Sequence, residues 1–506
     1  MKYGKTILFL MIAVFLFSIA TVNATEVNDT SIASDHILSI ESTQENTFED
    51  DGINEILADN PKTFTQLDKD MDESGDTFEI MYDYTFNNES DCVEVIIEKS
   101  NFIINGNNHT LDGNGQSGIF TIMGNNVTIN NLVFVNGNVT RGGAIYATGQ
   151  LTLNNVTFIN NNAVIGGAIY SKGQMALDNA IFINNNASNG GAIAQYGMIL
   201  NCNNSCFVDN SAERGSSIYS NNATLNVCNS FVTSRMSGKF GQIYASRSTV
   251  NIDNSEFINI SSVYASALYF QYSESSIINS RFINLTAEKS AGAIVILGSC
   301  NSYIKGCEFN NTKSFKNAGA ILVDYGYEVY AASIIDSVFD NASSMIGGAY
   351  VQLGGNLTLN SSNFTNNKAM VGGAVYISFT NSAINNCIFN SNELSDNRSS
   401  SFGGAIYCDM SNMALVKSEF VNNSAYMGNA VYACDSWYNI TNCLFSNNTN
   451  AIFTVFDKNQ CILDCNDYND DGIIANQSFY LNRARIPRPC DKLGSVICYI
   501  LNKSIC

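Results

Sequence analysis

The strongest constraint on the fold is a short block that recurs along most of the chain at nearly constant spacing. It reads Gly-Gly-Ala-Ile-Tyr at Gly142–Tyr146, and related copies continue as far as Gly428–Tyr432. Its Ile position falls at residues 145, 169, 193, 218, 243, 268, 294, 321, 350, 375, 406 and 431. The differences between those positions run from 24 to 31 residues. Such a period is typical of a solenoid in which each repeat forms one turn.

A second landmark is an aromatic position followed by Asn-rich turns. It falls on Phe at 134, 158, 182, 207, 231, 257, 282, 309, 339, 364, 389, 420 and 445. The step from this Phe to the next Ile position is 11 or 12 residues, except for 17 residues between Phe389 and Ile406. The longer step contains Ser395 to Ser401, which we interpret as an inserted loop. Insertions confined to loops leave the apolar positions in register, as a solenoid requires.

Within one repeat the apolar residues alternate with polar ones, as in the segment from Leu151 to Phe158. Alternation over short runs that end at Asn or Gly predicts half-buried strands joined by tight turns. Helical solenoids need better helix formers, and a β-propeller needs longer repeats. The pattern therefore predicts an all-β fold, a right-handed single-stranded parallel β-helix with capped ends. About fourteen coils spaced about 4.8 Å apart would form a rod roughly 65 Å long.

The two ends of the chain differ from the repeats. Residues 1–24 have a basic start, an apolar run and a small-residue cleavage site, which predicts a signal peptide, although a retained membrane anchor is an alternative. We expect a flexible acidic segment at 25–60, an N-terminal cap with helical spacing at 61–100, repeats at 101–450, and a Cys-bearing cap or tail at 451–506. The mature protein is therefore expected to be secreted or at the cell surface, and not integral to the membrane.

The net charge of −20, from 25 basic and 45 acidic residues, argues against binding to nucleic acid or to anionic membranes. The chain has 15 cysteines, with close pairs at Cys202 and Cys206 and at Cys300 and Cys307. An exported protein favours disulfides, whereas an anoxic compartment would leave buried thiols that pack as small apolar groups. The sequence leaves both possibilities open.

The repeats resemble a known family. The Gly-Gly-Ala-Ile blocks, with Phe-x-x-Asn partners such as Phe158–Asn161 and Phe364–Asn367, look like polymorphic outer-membrane-protein repeats. The arrangement is similar to adhesin-like surface proteins best known from methanogenic archaea, over about residues 60 to 450. The resemblance implies a pectin-lyase-like solenoid, extracellular display and a role in attachment. Many members carry further C-terminal modules, and no such module is recognisable before Cys506.

Nucleophilic hydrolysis has few candidate residues. The two histidines are His36 and His109, and a papain-like site needs a His that follows its Cys. No His follows Cys202 or any later Cys, and Cys92 has only His109 after it. Trp437, in the segment Cys434–Trp437, superficially matches a Cys-Trp motif but lacks the partners of that motif. We therefore expect a protein that is not an enzyme.

Many β-helices act on polysaccharides, so an enzyme is the alternative function. Hydrolysis of a glycosidic bond uses two carboxylates, which here would have to come from neighbouring coils. Acidic residues in the coils are scattered, at Asp178, Asp209, Asp253, Glu256, Glu274, Glu308 and Asp340. Four arginines lie in the least regular coils, at Arg214, Arg235, Arg247 and Arg281. We interpret these charges as variation in exposed positions.

One segment near the C-terminus has the spacing of a calcium loop. Asp467, Asn469 and Asp471 provide oxygen ligands at alternate positions, and Gly472 follows at the turning position. The twelfth position is Ser478 in place of the usual bidentate Glu. The sequence therefore predicts a possible Ca²⁺ site and no other cofactor.

A row of tyrosines follows the Ile position, and we predict that it forms a ladder on one outer face of the solenoid. Its members are Tyr146, Tyr170, Tyr219, Tyr244, Tyr269, Tyr376, Tyr407 and Tyr432. Stacked rings would stabilise neighbouring coils, and a sugar-stacking strip is the functional alternative. Asn-x-Ser/Thr sequons such as Asn155 and Asn341 also predict a glycoprotein where the host has the machinery.

These observations favour a secreted or cell-surface, adhesin-like protein that attaches to cells or glycans without catalysis. The expected partner is an extracellular glycan or another cell-surface ligand. The alternatives are a polysaccharide-active lyase or hydrolase and a purely structural coat protein.

Overall fold

The computed structural model describes residues 61–87, 91–235, 238–298, 300–326, 328–395, 401–448, 451–455, 461–464 and 467–469. The chain forms a parallel β-helix, in which three long sheets contain 16, 15 and 16 strands. Each coil contributes one strand to each sheet, and every pairing in these sheets is parallel. The predicted parallel β-helix is therefore confirmed.

We name the three sheets after the residue types that recur at their inward positions. The Ile sheet consists of β3 (Val95–Ile97), β6 (Phe120–Ile122), β10 (Ile145–Ala147), β14 (Ile169–Ser171), β18 (Ile193–Tyr196), β22 (Ile218–Asn221), β25 (Ile243–Ser246), β28 (Leu268–Gln271), β31 (Ile294–Leu297), β34 (Ile321–Asp324), β37 (Tyr350–Leu353), β41 (Val375–Ser378), β45 (Ile406–Asp409), β48 (Val431–Cys434) and β51 (Ile452–Val455).

The Leu sheet follows the Ile sheet in each coil. It consists of β1 (Thr77–Glu79), β4 (Ile103–Asn105), β7 (Val127–Asn130), β11 (Leu151–Asn154), β15 (Met175–Asp178), β19 (Ile199–Asn203), β23 (Thr224–Cys228), β26 (Thr249–Asp253), β29 (Glu274–Ile278), β32 (Ser302–Lys305), β35 (Ala331–Ile335), β38 (Asn356–Asn360), β42 (Asn381–Asn385), β46 (Asn412–Val416), β49 (Trp437–Thr441) and β52 (Cys461–Asp464).

The Phe sheet completes the coil. It consists of β2 (Tyr84–Thr85), β5 (Thr110–Asp112), β8 (Val133–Val135), β12 (Thr157–Ile159), β16 (Ile181–Ile183), β20 (Cys206–Val208), β24 (Phe231–Ser234), β27 (Glu256–Ser262), β30 (Arg281–Ala287), β33 (Glu308–Ser314), β36 (Val338–Asp340), β39 (Asn363–Thr365), β43 (Ile388–Asn390), β47 (Glu419–Val421), β50 (Leu444–Ser446) and β53 (Asp467–Asn469).

Two small sheets lie in the arm that leads from the Phe sheet back to the Ile sheet. One has four strands, β9 (Asn138–Arg141), β13 (Asn162–Ile165), β17 (Asn186–Asn189) and β21 (Ser211–Arg214), and the other has two, β40 (Lys368–Ala369) and β44 (Glu393–Leu394).

The inward residues of the three long sheets form one continuous hydrophobic core. The register aligns every predicted Ile position, for example Ile145 with Ile169 and Ile169 with Ile193. Along the Phe sheet, stacked rings such as Phe158 and Phe182 have centroids 4.9 Å apart with an interplanar angle of 5°. Each coil thus covers the apolar face of the next, which is why a single repeat could not fold alone.

One predicted core position is wrong. Phe231 pairs with Cys206, whereas Val232 pairs with Phe207 and is 1% exposed. Because successive side chains of a strand point to opposite faces, a shift of one residue turns Phe231 outward. The shift keeps Ser230 in the turn, where its Oγ accepts a hydrogen bond of 3.2 Å from the backbone N–H of Ser205.

The pairs of glycines in the recurrent block have two distinct purposes. Gly166 has φ of +67°, a left-handed conformation that a side chain would strain. A Cβ on Gly167 would lie 2.0 Å from the carbonyl oxygen of Gly191 on the next coil. The first glycine therefore permits the turn, and the second permits the close approach of adjacent coils.

The stacked strands extend beyond the residues 101–450 expected from the repeats. At the N-terminal end, helix α1 (Phe64–Asp72) buries Phe64, Leu67 and Met71, and β1 to β3 form a coil beneath it. The Lys99 ammonium donates to the Met71 carbonyl at 2.6 Å. At the other end, β51 to β53 continue the three sheets without the glycine block. Strand pairing needs only inward apolar residues at alternate positions. The solenoid is therefore longer than the part of the chain that carries the recurrent motif.

The cysteine residues that the structure describes carry free thiols. Cys202, Cys206, Cys300 and Cys307 form no disulfides. Cys307 instead occupies a turn position that other coils fill with Ser, and its backbone N–H donates to Ser337 Oγ at 3.2 Å. These thiols therefore pack as part of the solenoid wall.

Candidate functional site

The predicted tyrosines share one column on the outer face of the Ile sheet, directly after the inward Ile position. They form two runs, Tyr146 to Tyr269 and Tyr376 to Tyr432, which are separated by Val295, Leu322 and Val351. Their rings stack, with centroids 5.4 Å apart for Tyr146 and Tyr170 and 5.2 Å apart for Tyr376 and Tyr407. Tyr196 joins the column from two positions further along its strand, between Tyr170 and Tyr219. The ladder thus has the geometry that stabilises neighbouring coils.

The arms between the Phe and Ile sheets cover this ladder. Apart from the partly buried Tyr146, the predicted tyrosines are 1 to 7% exposed and belong to a second hydrophobic cluster. Residues just before the glycines, such as Ile165, Phe240 and Phe402, pack against them. Burial also raises the pKa of Tyr244 and Tyr269. Apart from Tyr146, the buried rings therefore present almost no accessible face to a sugar.

Two of the three predicted calcium ligands lie at the last described coil. Asp467 and Asn469 are in β53, where the backbone pairs with Leu444 and Ser446 of β50. Asp471 lies outside the described residues. The Ca²⁺ site stays a prediction, on a segment whose first part is extended strand.

Two charged clusters bear on the enzyme alternative. His109 Nδ1 lies 3.0 Å from Asp83 Oδ1, and in the described part of the chain no hydroxyl contacts the other ring nitrogen. Arg281 donates to Glu256 at 2.8 Å and to Glu308 at 2.9 Å, from three successive coils of the Phe sheet. One guanidinium bridges both carboxylates, so this exposed network links three successive coils.

A shallow groove lies on the outer face of the Leu sheet, across β38, β42, β46 and β49. Its volume is about 580 Å³. It is lined by Asn356, Leu357, Thr358, Asn381, Ser382, Ala383, Asn412, Met413, Ala414, Trp437, Tyr438 and Asn439. Because the four strands belong to successive coils, the groove runs along the solenoid axis. We call it the Leu-sheet groove.

One wall of the Leu-sheet groove is a column of amides that ends at an indole. The register places Asn356, Asn381, Asn412 and Trp437 side by side. Asn412 Nδ2 donates to Asn381 Oδ1 at 2.8 Å, and Asn381 Nδ2 donates to Asn356 Oδ1 at 3.4 Å. Trp437 continues the column on the next coil, where its side chain is 58% exposed. Trp is enriched at binding surfaces and among the residues that dominate their energy.

The floor of the groove is a second column, with Thr358, Ala383, Ala414 and Asn439 on successive coils. The groove is deepest at its centre because the side chains of Ala383 and Ala414 are only methyl groups. Within the described residues, the side chains of Thr358 and Asn439 make no hydrogen bond, and Trp437 Nε1 donates to none. The groove therefore offers unused polar groups around an apolar floor, and none of its lining residues is charged.

A smaller cavity of about 260 Å³ adjoins the other side of the amide column. Its apolar members are Val329, Phe379 and Met410, which are 81%, 54% and 37% exposed. Phe379 and Met410 have φ of 54° and 43°, at a turn that Asn222 fills in an earlier coil with φ of 51°. A bulky residue is strained in the left-handed region of φ. An exposed side chain gains no stabilisation from burial that would offset this strain. The same turn holds Met198 and Tyr272 in other coils, also with positive φ and exposed side chains, so bulky residues recur at this position along the solenoid.

Comparison with protein-family models identifies a repeat family. The model of the Chlamydia polymorphic membrane protein repeat matches residues 155–172 and 386–409. Both segments run from a Leu-to-Phe turn, through the glycines, into the Ile sheet. The chain is a β-helix with polymorphic-membrane-protein-type repeats. No curated protein and no solved structure matches it.

The match covers two segments of the scaffold of this polymorphic-membrane-protein-type β-helix, and the second segment begins at the turn after β42 and ends before Trp437. Sequence reasoning missed the groove because it considered Trp437 only within a Cys-Trp motif. A signal was present in the outward positions of the Leu sheet. The column that holds Ala383 and Ala414 is Asn in three earlier coils, Asn201, Asn226 and Asn251.

The described part of the polymorphic-membrane-protein-type β-helix contains no helix with the length and apolar character of a membrane span. Within the same residues, no three His, Cys, Asp or Glu side chains are grouped to hold a metal ion.

Proposed function

We propose that this protein is a non-catalytic, adhesin-like protein of the cell surface, which attaches to an extracellular ligand through the Leu-sheet groove. Polymorphic membrane proteins are a surface or outer-membrane family, and the shared repeat supports a surface location. The predicted signal peptide at 1–24 agrees with that location and stays a prediction. A long solenoid suits display because its core is closed and its outer side chains repeat in register.

The observation that carries the proposal is the exposed indole of Trp437 at the end of the amide column. Trp is enriched among the residues that dominate binding energy at interfaces, and Trp437 is 58% exposed beside polar groups that make no hydrogen bond. The aromatic ladders of the Phe and Ile sheets, by contrast, are largely buried and hold neighbouring coils together. Trp437 and its groove are therefore the best candidate for recognition.

The composition of the groove favours binding over catalysis. Hydrolysis of a glycosidic bond uses a pair of carboxylates on either side of the bond. The residues that line the Leu-sheet groove include no Asp, Glu, His, Lys or Arg. The Arg281 network, which has two carboxylates on separate coils, lies on the Phe sheet and outside the groove. A ligand in the groove meets amides, methyl groups and an indole, which bind but do not transfer protons.

The test is attachment of the labelled full-length protein to intact cells and to extracellular matrix. We expect Trp437→Ala to reduce attachment strongly, because the indole is the largest exposed group of the groove. Tyr272→Ala is the matched control, since Tyr272 is also an exposed aromatic side chain but lies on a distant coil. Equal attachment by the Trp437 variant and the natural protein would refute the proposed site. Release of cleaved ligand during the assay would refute the non-catalytic assignment.

A further inference from the structure

We infer that the Leu-sheet groove binds an uncharged glycan, whose chain lies along the solenoid axis with one sugar face against Trp437. This inference rests on the proposed function and names the ligand class of the same groove. Four observations carry it: the mixed chemistry of the lining, the pairing of every strand beneath it, its lack of charge, and the direction of its columns.

The lining matches the two-sided chemistry of a sugar ring, which has an apolar C–H face and a rim of hydroxyl groups. The indole of Trp437 and the methyl groups of Ala383 and Ala414 provide apolar surface. Hydroxyl groups can both donate and accept hydrogen bonds, and so can the free side chains of Thr358 and Asn439. Asn412 Oδ1, at the end of the amide ladder, is a further acceptor that accepts no bond within the described residues.

A peptide is a poorer fit to this surface. Extended peptides usually bind by adding a strand to an open sheet edge, which needs unpaired backbone groups. The strands β38, β42, β46 and β49 each have a neighbour on both sides. Their backbone N–H and C=O groups are therefore already used within the sheet. Only side chains remain for recognition, and those are short amides, a hydroxyl, methyl groups and one indole.

The charge of the protein selects against acidic polysaccharides. The chain has a net charge of −20, and no lysine, arginine or histidine lines the groove. The adjoining cavity contains Glu328, which adds to the repulsion of an anion. An acidic sugar would thus lose Coulomb energy without a cation to restore it. A neutral sugar pays no such penalty.

The columns of side chains determine the direction in which the glycan would lie. Asn356, Asn381 and Asn412 present the same amide once per coil, at the strand spacing of about 4.8 Å. Such a spacing is close to the rise of one sugar unit in an extended pyranose chain, so consecutive sugars would meet equivalent groups. Across the strands the surface changes from the Phe379 and Met410 flank to the methyl floor, and no group repeats. The axis of the solenoid is therefore the direction in which a polymer fits.

The experiment uses the fact that Trp437 is the single tryptophan of the chain. The full-length protein is titrated with linear neutral oligosaccharides of glucose, xylose, mannose and N-acetylglucosamine, from disaccharide to hexasaccharide, and with oligogalacturonates of equal length. We expect at least one neutral series to shift the indole emission and to protect it from acrylamide quenching. Affinity should rise up to about the four units that four coils accommodate and then level off. Oligogalacturonates should leave the emission unchanged.

Variants locate the binding by calorimetry, which does not depend on the indole. Trp437→Ala should raise Kd about tenfold or more, and Trp437→Phe should recover part of that loss. Ala414→Arg should block binding because the long side chain fills the floor. Tyr272→Ala should leave Kd unchanged. Thermal unfolding of each variant distinguishes a binding defect from a folding defect.

Three outcomes would overturn the inference: binding of the acidic series with higher affinity, no binding of any neutral series, or a neutral glycan bound equally well by Trp437→Ala. Failure here is distinguishable from failure of the proposed function. If Trp437→Ala abolishes attachment to cells but no neutral glycan binds, the proposed function stands and the ligand class is wrong. If attachment does not depend on Trp437, the groove itself is the wrong site.

Discussion

The Asn185 side chain accepts two hydrogen bonds from Asn161 on the preceding coil, one from the backbone N–H and one from the side-chain amide, each 3.0 Å long. Both residues are fully buried. Asn185 repeats the arrangement toward Asn210, and a second run of the same ladder includes Asn367 and Asn392. The ladder satisfies backbone groups that the corner of each coil would otherwise leave unpaired.

Replacement of Asn185 tests this interior ladder. Asn185→Ala should lower the free energy of unfolding by about 3 kcal/mol, because two buried N–H groups of Asn161 lose their acceptor. Asn186→Ala is the control, since its exposed amide donates only to Asn162 at 2.9 Å and should cost about 0.5 kcal/mol or less. Thermal unfolding by circular dichroism makes the comparison, and equal melting temperatures for the two variants would contradict it.

The close approach of coils at the second glycine gives another prediction. Gly167→Ala should destabilise the protein by about 2 kcal/mol or more, because its Cβ would lie 2.0 Å from the Gly191 carbonyl oxygen. Gly75→Ala is the control, since a Cβ there meets no atom within 4 Å. The difference is measured by the melting temperature in thermal unfolding or by the midpoint of unfolding in urea. A stable Gly167 variant would show that the coils can separate without cost.

The register at β24 is tested by a charge on either of two adjacent residues. Val232→Asp should prevent folding or cost at least about 4 kcal/mol, because it buries an unpaired carboxylate among core side chains. Phe231→Asp should be tolerated far better, because that side chain points outward. Yield of soluble protein and thermal unfolding give the comparison. The opposite order would mean that Phe231 belongs to the core.

Buried thiols should make the protein less stable in alkali. Burial raises the pKa of Cys202 to about 11 and that of Cys408 to about 12, whereas an unfolded Cys has a pKa of about 8.5. Between these values the unfolded state loses its protons first, so stability falls as pH rises above about 8.5. The contribution of Cys202 levels off above its folded pKa.

Melting temperatures between about pH 8 and pH 10.5, in reducing buffer, test this pH dependence. The double variant Cys202→Ala, Cys408→Ala should show a shallower decline than the natural protein. Cys228→Ala is the control, because that thiol is only partly buried. An unchanged slope in the double variant would exclude the thiols of Cys202 and Cys408 as the cause.

Much of the scaffold could be predicted from the residues alone. The Ile positions aligned correctly because inward apolar residues recur with the Gly pairs that turn the chain. The error at Phe231 arose because a spacing of landmarks does not specify which of two adjacent residues faces inward. The turn and its serine ladder decide that choice, and they are visible only when coils are stacked.

The sequence by itself determined the period, the parallel stacking and the inward columns, because these depend on which residues recur along the chain. Only the tertiary structure decided that the arms cover the Tyr146 to Tyr432 ladder and that Trp437 stands open beside Asn412. Exposure depends on what packs over a side chain from other parts of the coil. Residues that are neighbours in space but about 25 positions apart in sequence, such as Asn356 and Asn381, define the groove. Their common surface exists only once the coils are in register.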